Sequence, residues 1–234
     1  MEKAVFEKLQ AHIFDKGNPW VDIWADKTAR PNKLPYFSSW AIYGENEVID
    51  KEVLEDEVIR SLNNNVVFVG LNFSYALPSS WGFWHNIYAN YNVKWLLSGE
   101  NFNVEKYRGA YITDIIKNVV GKNASTVSTN LTLENINKNI GWFFEEIDLL
   151  GSDSIEMFVF GTVAADLFSE HVMKRNEFPA FQKKVRKCQH INHYSKKNED
   201  TFRKYAPAEL GLIASSSTVK RWLWNIGRGT KAVR

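Results

Sequence analysis

Four short apolar segments constrain the fold of this chain more than any other feature of its sequence. Each is rich in Val, Ile or Phe, and we predict strands at 66–71, 110–113, 155–160 and 185–192. A nearly continuous apolar sequence of this length is typical of a strand that is buried on both faces of a parallel sheet.

Helical patterns separate these segments, with apolar residues recurring every three or four positions. We predict helices at 2–14, 52–62, 84–98, 132–150 and 162–172. Strands that alternate with helices predict an α/β protein, here a three-layer sandwich in which helices flank a central, mainly parallel four-stranded sheet. Right-handed crossovers bring the loops after the strands to the carboxyl edge of the sheet, where ligands bind in such folds.

The length of 234 residues suits one large domain. No stretch has the composition of a linker, so we predict a single domain over 1–234. Within it, 1–62 holds N-terminal helices and an irregular, aromatic-rich segment, 63–204 the sheet core, and 205–234 a basic C-terminal segment. The aromatic residues of 15–48 could cover a pocket or simply pack in the core.

Several classes of protein are disfavoured by composition. No apolar run approaches the ~20 residues of a membrane helix, and the N-terminus lacks the apolar stretch of a signal peptide. The single cysteine, Cys188, excludes an intramolecular disulfide framework and a multi-cysteine metal site. We therefore expect an intracellular, cytoplasmic monomer that does not bind membranes.

The net charge of +2 conceals an uneven distribution. Residues 1–170 hold 14 Lys and Arg against 23 Asp and Glu, whereas residues 171–234 hold 15 against 4. The first part is therefore at −9 and the second at +11. Such asymmetry indicates a polyanionic partner, although basic residues can also simply solvate exposed helix faces.

Polar and small residues follow each predicted strand. Gly70, Leu71, Asn72 and Phe73 end the first, and Asp114 follows the second. Gly161 and Thr162 follow the third, and the fourth leads into the sequence HYSKKN, which begins at His193. In a parallel sheet all four sets converge on one edge.

These segments resemble the uracil-DNA glycosylase superfamily. Its first motif, G-x-N-P-G in the mismatch-specific and single-strand-selective branches, is GLNFS here, and its second, H-P-S-P-R-N, is HYSKKN. Between them, YITDIIK is similar to the family's second-strand segment, FVFGTVAADLF to its third strand and next helix, and GFWHNIY to the stretch after the first motif. The resemblance covers roughly 66–198, with the segments in the family's order.

The resemblance implies hydrolysis of the bond between a sugar and a base that has been flipped out of the DNA stack. Asn72 would position the attacking water, and His193 would donate a hydrogen bond to the base as negative charge develops on it. The alternatives are that Asn72 is only a turn residue and His193 only a surface histidine of a basic loop.

By the same resemblance, other residues would hold the base. Gly70, Leu71 and Phe73 would contact it, with Phe73 offering its backbone N–H, and Phe83 would stack on it. Trp81 and Trp84 compete for the stacking role, and an aromatic between a loop and a helix is often a core residue.

DNA contacts would come from Ser195, Lys196, Lys197 and Asn198. Ser195 would contact a phosphate, and the two lysines would enter the groove beside the flipped base. Further basic residues could contact phosphates in a sequence-independent way. They are Lys183, Lys184, Arg186, Lys187, Lys220, Arg221, Arg228, Lys231 and Arg234. The basic tail could equally be a frayed end.

Three residues depart from the family pattern. Phe73 and Tyr194 replace motif prolines that stiffen their loops, so the site could be looser or filled by the aromatic rings. Asp114 stands where many relatives have Asn. An ionised carboxylate only accepts hydrogen bonds, so it should repel a uracil carbonyl and favour bases that present donors.

We therefore expect a monofunctional DNA glycosylase acting on uracil-like bases or on hypoxanthine or xanthine, without metal or cofactor. No lysine is evident at a strand end, where it could form a Schiff base. The alternative is a glycosylase-fold protein that binds nucleic acid without base excision; a small-molecule enzyme fits the charge distribution less well. Cys188, His190 and His193 could suggest a metal site, but strand alternation separates His193 from the other two.

Overall fold

A six-stranded sheet forms the centre of the molecule. The computed structural model describes residues 1–14, 33–42, 55–72, 87–119, 127, 129, 131–174, 179–195, 198–214 and 223–224. The strands are β1 (Ser38–Trp40), β2 (Asn63–Asn72), β3 (Ala110–Ile116), β4 (Ile155–Phe160), β5 (Val185–Ile191) and β6 (Leu223–Trp224). The predicted α/β fold with a mainly parallel sheet is confirmed, and β2 to β5 are the four predicted strands.

The predicted count of four strands was wrong, because two short antiparallel strands close the edges. The strand order is β1-β3-β2-β4-β5-β6, with β1 antiparallel to β3 and β6 antiparallel to β5. These edge strands contain three and two residues, too few to give a periodic apolar signal. β1 places part of the aromatic-rich segment in the core, where Trp40 is buried.

The central strand β2 is parallel to both of its neighbours, β3 and β4, and β4 is parallel to β5. The chain therefore leaves β2 in one direction to form β3 and returns across it to form β4. This reversal is a topological switch point, and open α/β sheets usually bind their ligands at such a point, outside the carboxyl ends of the strands.

Helices cover both faces of the sheet in three layers. They are α1 (Lys3–Ala11), α2 (Asp56–Ser61), α3 (Ile87–Leu97), α4 (Leu133–Leu149), α5 (Thr162–Phe168), α6 (Pro179–Lys184) and α7 (Glu199–Leu210). On one face, Phe143 of α4 contacts Phe168 and Phe181, and on the other Phe202 of α7 contacts Phe160. None of the described helices is long and apolar enough to cross a membrane.

Two α-helices, α1 and α5, end earlier than predicted. The predicted helix 2–14 ends at Ala11, because Ile13 forms an isolated bridge with Lys33. The predicted helix 162–172 is α-helical to Phe168 and continues as a π-helical turn, Ser169–Met173. Thr132 caps α4: its side chain accepts a hydrogen bond from the backbone N–H of Asn135.

The second strand is longer than predicted, and this moves two residues. β3 runs to Ile116 instead of ending near Thr113, so Asp114 lies within the strand and not in the loop after it. Lys117 consequently follows the strand end directly. The expectation that no lysine lies at a strand end was therefore wrong.

Candidate functional site

Asn72 and Asp114 lie on the same face of the sheet, on neighbouring strands near their carboxyl ends. Gly70 pairs with Asp114, and Asn72 pairs with Ile116. Paired residues of parallel neighbours point to the same face, and so do residues two apart on one strand. Asp114, Gly70 and Asn72 therefore face the layer of α3 and α7, and Gly70 places no side chain between the other two. Asp114 is fully buried and Asn72 is 8% exposed.

A hydrogen bond to the backbone helps to orient the side-chain amide of Asn72. Its Nδ2 donates to the backbone carbonyl of Val119, over 3.2 Å. The amide orientation assigned from this bond leaves Oδ1 as the acceptor end of the group. Asn72 is the last residue of β2, so the structure places it in a strand and not in a turn.

His193 lies two residues beyond β5, against Gly161 at the end of β4. Gly161 has φ of 82°, and a Cβ built there would lie 2.9 Å from Cδ2 of His193, so only glycine allows this contact. The backbone N–H of Ser195 donates to Nδ1 of His193 over 3.1 Å. The neutral ring therefore carries its proton on Nε2, which makes Nε2 a hydrogen-bond donor.

Tyr194 holds the loop that a proline stiffens in the motif it resembles. Its ring stacks on His193, with centroids 4.7 Å apart, and meets Phe160 edge-on at 4.9 Å. Its backbone carbonyl accepts a 2.9 Å hydrogen bond from Asn92 of α3, and Asn92 in turn accepts one from Arg203 of α7. Burial of an aromatic ring thus restrains the backbone beside His193.

Glu209 of α7 fixes the other side of the same loop. Its carboxylate accepts hydrogen bonds from the backbone N–H of Asn192, at 2.9 Å, and from the Asn192 side chain. Burial raises the pKa of Glu209 above its usual value, and the two bonds from Asn192 only partly oppose this. His193 therefore follows a residue that is attached to α7.

Of the other predicted site residues, some are placed by the structure and some lie outside the described residues. Leu71 points to the opposite face from Asn72, by strand alternation, so only its backbone can contact a ligand on the Asn72 face. Asn198 precedes α7 with an exposed side chain, and its backbone N–H donates to the Ser195 carbonyl. Outside the described residues lie Phe73, Trp81, Phe83, Trp84, Lys196 and Lys197.

A buried polar group at the exit of β3 was not predicted. Lys117 is fully buried, and its ammonium contacts Oγ1 of Thr113 at 2.9 Å, the carbonyl of Asp114 at 2.7 Å and Glu146 of α4 at 2.7 Å. Tyr111 donates to the same carboxylate, and burial, with the nearby Glu146 charge, raises the Tyr111 pKa well above its usual value. A signal was present, since Glu146 interrupts the apolar side of a helix.

Cys188 and His190 share one face of β5, pairing with Met157 and Val159. Burial raises the pKa of the Cys188 thiol to about 12, so at neutral pH it is protonated and a poor metal ligand. Burial also lowers the pKa of His190, which nearby Asp166 opposes. Within the described ranges, no three His, Cys, Asp or Glu side chains are grouped to hold a metal ion.

The basic run before β5 lies far from His193. Arg186 and Lys187 are at the amino end of β5, so about 20 Å of strand separates them from the candidate site. Arg186 is also paired with Glu156, and Lys184 with Asp148. The tail residues Lys220, Arg221, Arg228, Lys231 and Arg234 lie outside the described residues.

Comparison with known proteins gave no match: no family model, no curated protein and no solved structure matches this chain. The likeness to the uracil-DNA glycosylase superfamily therefore rests on the sequence motifs alone.

Proposed function

We propose that this chain is a DNA glycosylase that hydrolyses the N-glycosidic bond of a deaminated or damaged base held at the carboxyl edge of the sheet. The observation that carries the proposal is that one side chain presents a hydrogen-bond acceptor and another presents a donor. Asn72 is oriented with its acceptor oxygen away from Val119, and His193 is restrained as an Nε2 donor. The attacking water needs an acceptor that orients it, and the departing base needs a donor that stabilises its negative charge.

The chemistry of base excision matches these polarities. Breaking the bond leaves positive charge on the sugar and negative charge on the base. A donor such as Nε2 of His193 stabilises a base carbonyl that gains this charge, as an oxyanion hole does. Oδ1 of Asn72 would accept a hydrogen bond from water and orient it, although a neutral amide cannot remove its proton. The water becomes acidic as it adds to the positively charged sugar, and its proton passes to the anionic base or to solvent.

The spacing of the strands suits a nucleoside between these two groups. Asn72 ends β2 and His193 follows β5, with β4 between them. Neighbouring strands lie about 4.8 Å apart, so the two positions are separated by roughly 10 Å across the sheet. Gly161 follows β4 between them, and the His193 ring occupies the space that a side chain at this position would fill.

Asp114 supports a preference among bases. Its carboxylate lies on the Asn72 face beside Gly70, and when ionised it can only accept hydrogen bonds. It would repel the two carbonyls that flank the single N–H of uracil. It suits hypoxanthine better, because its N–H has a carbonyl on one side only, and xanthine, because it presents two N–H donors. We therefore place these purines ahead of uracil as substrates.

The buried lysine favours a monofunctional enzyme. A Schiff base requires a neutral amine that reaches the sugar, whereas Lys117 points to α4. Its three N–H groups have three acceptors, Thr113, Asp114 and Glu146. Held in this way, Lys117 is a structural cation, and water remains the nucleophile.

The test is alkali cleavage of end-labelled oligonucleotides that contain uracil, hypoxanthine, xanthine or thymine, as single strands and as duplexes. We expect strand cleavage after alkali for at least one base, strongest for hypoxanthine or xanthine. The variants N72A and H193A should reduce it. No cleavage with any of these substrates would contradict the proposal.

Binding without excision is the second candidate, and Asp114 is the observation that favours it, because its buried carboxylate disfavours uracil. In that case the protein would bind the same oligonucleotides with an affinity that falls steeply with salt, yet leave them intact. The cleavage and binding assays together separate the two candidates.

A further inference from the structure

The segment that orients Asn72 is attached to α4 by a polar cluster, which we name the β3-exit cluster: Lys117, Asn118, Asn135, Asn139 and Glu146. The backbone N–H of Lys117 donates to Oδ1 of Asn139 over 2.6 Å, and its ammonium contacts Glu146 at 2.7 Å. Asn139 also donates to Oδ1 of Asn118 at 2.6 Å. All but Asn135 of the cluster are buried.

Several further hydrogen bonds hold the segment after β3 against α4. Nδ2 of Asn139 donates both to Asn118 and to the carbonyl of Asn135, and Asn118 donates to the Asn135 side chain. Two consecutive residues after β3 are thus bonded to three turns of α4. Val119 follows immediately, and its carbonyl is the one that accepts the hydrogen bond from Asn72.

We propose that Lys117 and Glu146 are positioning residues, which set the orientation of the Asn72 amide through the segment 117–119. The catalytic consequence rests on the proposed function; the effect on the Asn72 amide does not. The reasoning is geometric: the carbonyl that accepts from Asn72 is two residues from a lysine that the ion pair fixes on the opposite face of the sheet. Loosening the pair lets that carbonyl move, and the amide loses its fixed acceptor.

Removing one partner alone would leave a buried charge unpaired and could prevent folding. The double variant K117M/E146Q avoids this, since it removes both charges and keeps a carbonyl oxygen that can accept from the Tyr111 hydroxyl. A matched control is K106M, which removes a lysine paired with Glu156 at the other end of the sheet and has no contact with the β3-exit cluster.

The first readout does not depend on activity. The Asn72 side-chain amide signals are identified in a ¹H–¹⁵N spectrum by their absence from N72A. In folded K117M/E146Q we expect them to shift and to exchange with solvent at least several-fold faster, whereas K106M leaves them in place. Unchanged Asn72 signals in a folded double variant would overturn the proposal.

The second readout is single-turnover excision of whichever base the wild type removes. We expect K117M/E146Q to lower the rate roughly 10- to 100-fold, the range for misplacing a catalytic group by about 1 Å or less, with DNA affinity unchanged. A wild-type rate in a variant whose Asn72 signals have moved would overturn the positioning role. If the wild type excises nothing, the proposed function fails while the amide readout still tests the inference.

Discussion

The polarity of Asn72 and His193 is set by their neighbours and not by the two residues themselves. An asparagine amide or a histidine ring presents either a donor or an acceptor, depending on its hydrogen-bond partner. Here a backbone carbonyl turns the amide, and a backbone N–H fixes the ring tautomer. The chemistry at this scale therefore depends on single contacts, and substitutions of adjacent residues should change it.

Asp114→Asn should change which base is preferred. The amide can donate to a carbonyl as well as accept, so it suits uracil better than a carboxylate does. We expect the ratio of uracil to hypoxanthine excision to rise by about tenfold or more, the factor that one hydrogen bond of ~1.5 kcal/mol gives. Competition between the two labelled oligonucleotides measures it. A wild-type preference for uracil that D114N leaves unchanged would contradict the role of Asp114.

Gly161→Ala should disturb His193 as well as the backbone. The φ of 82° strains any other residue, and the added Cβ would meet the His193 ring. We expect the free energy of unfolding to fall by about 2–3 kcal/mol and excision to fall with it. Gly211→Ala is a control for a positive φ without a neighbour: its φ is 76° and its ψ is 23°, against 153° for Gly161, and nothing lies within 4 Å of the new Cβ. Equal losses of activity in the two variants would show that the His193 contact is unimportant.

Among the helices and strands, the sequence predicted those that have a long apolar pattern. The four buried strands and α1 to α5 were found, because long apolar patterns specify them, whereas α6 and α7 were not predicted. The edge strands were missed, because pairing alone makes three residues at Ser38–Trp40 a strand. Lys117 was also missed, because its partner Glu146 is 29 positions away and only the packing of α4 on β3 unites them.

Glu209 of α7 binds Asn192, the residue after β5, and makes the stability of the protein depend on pH in a predictable direction. The pKa of Glu209 is raised above its unfolded value of 4.5 by burial, so the folded state holds the proton more tightly. Its stabilising contribution is complete below that value and is lost as pH rises through the folded pKa. Glu209→Gln cannot ionise, so its stability relative to wild type should increase from pH 4 to pH 7.

Urea unfolding of wild type and E209Q at several pH values measures this difference. The variant retains one oxygen that can accept from the backbone N–H of Asn192, but its NH2 group replaces the oxygen that accepts from the Asn192 side chain. This loss is the same at every pH, so the change of the stability difference with pH is the diagnostic quantity. A stability difference that stays constant over this pH range, or that decreases, would contradict the assignment of the raised pKa to Glu209.

For the whole molecule, the uneven charge predicts where DNA would bind, and the structure refines this. The basic run at 183–187 is at the amino end of β5, opposite to His193, and is partly neutralised by Glu156 and Asp148. The net charge of the C-terminal part therefore overstates the charge near the site. The lysines of HYSKKN, Lys196 and Lys197, are three and four residues after His193 in the sequence and are the better candidates for DNA contacts.

Two lysine pairs test this difference in position. K196A/K197A should weaken DNA binding and reduce the slope of affinity against salt by about one for each lysine that contacts phosphate. K183A/K187A removes the same charge from the amino end and should change the slope little. Binding isotherms at several salt concentrations measure both. Equal slopes for the two variants would mean that only the total charge of the protein matters.

The most direct test of the central claim is the single-turnover rate of base excision by N72A and H193A beside the K106M control. We predict that both lower the rate on the order of 10²-fold or more, with folding and DNA affinity preserved, while K106M keeps the wild-type rate. A rate within about twofold of wild type in folded N72A or H193A would contradict the claim that these two residues perform the reaction.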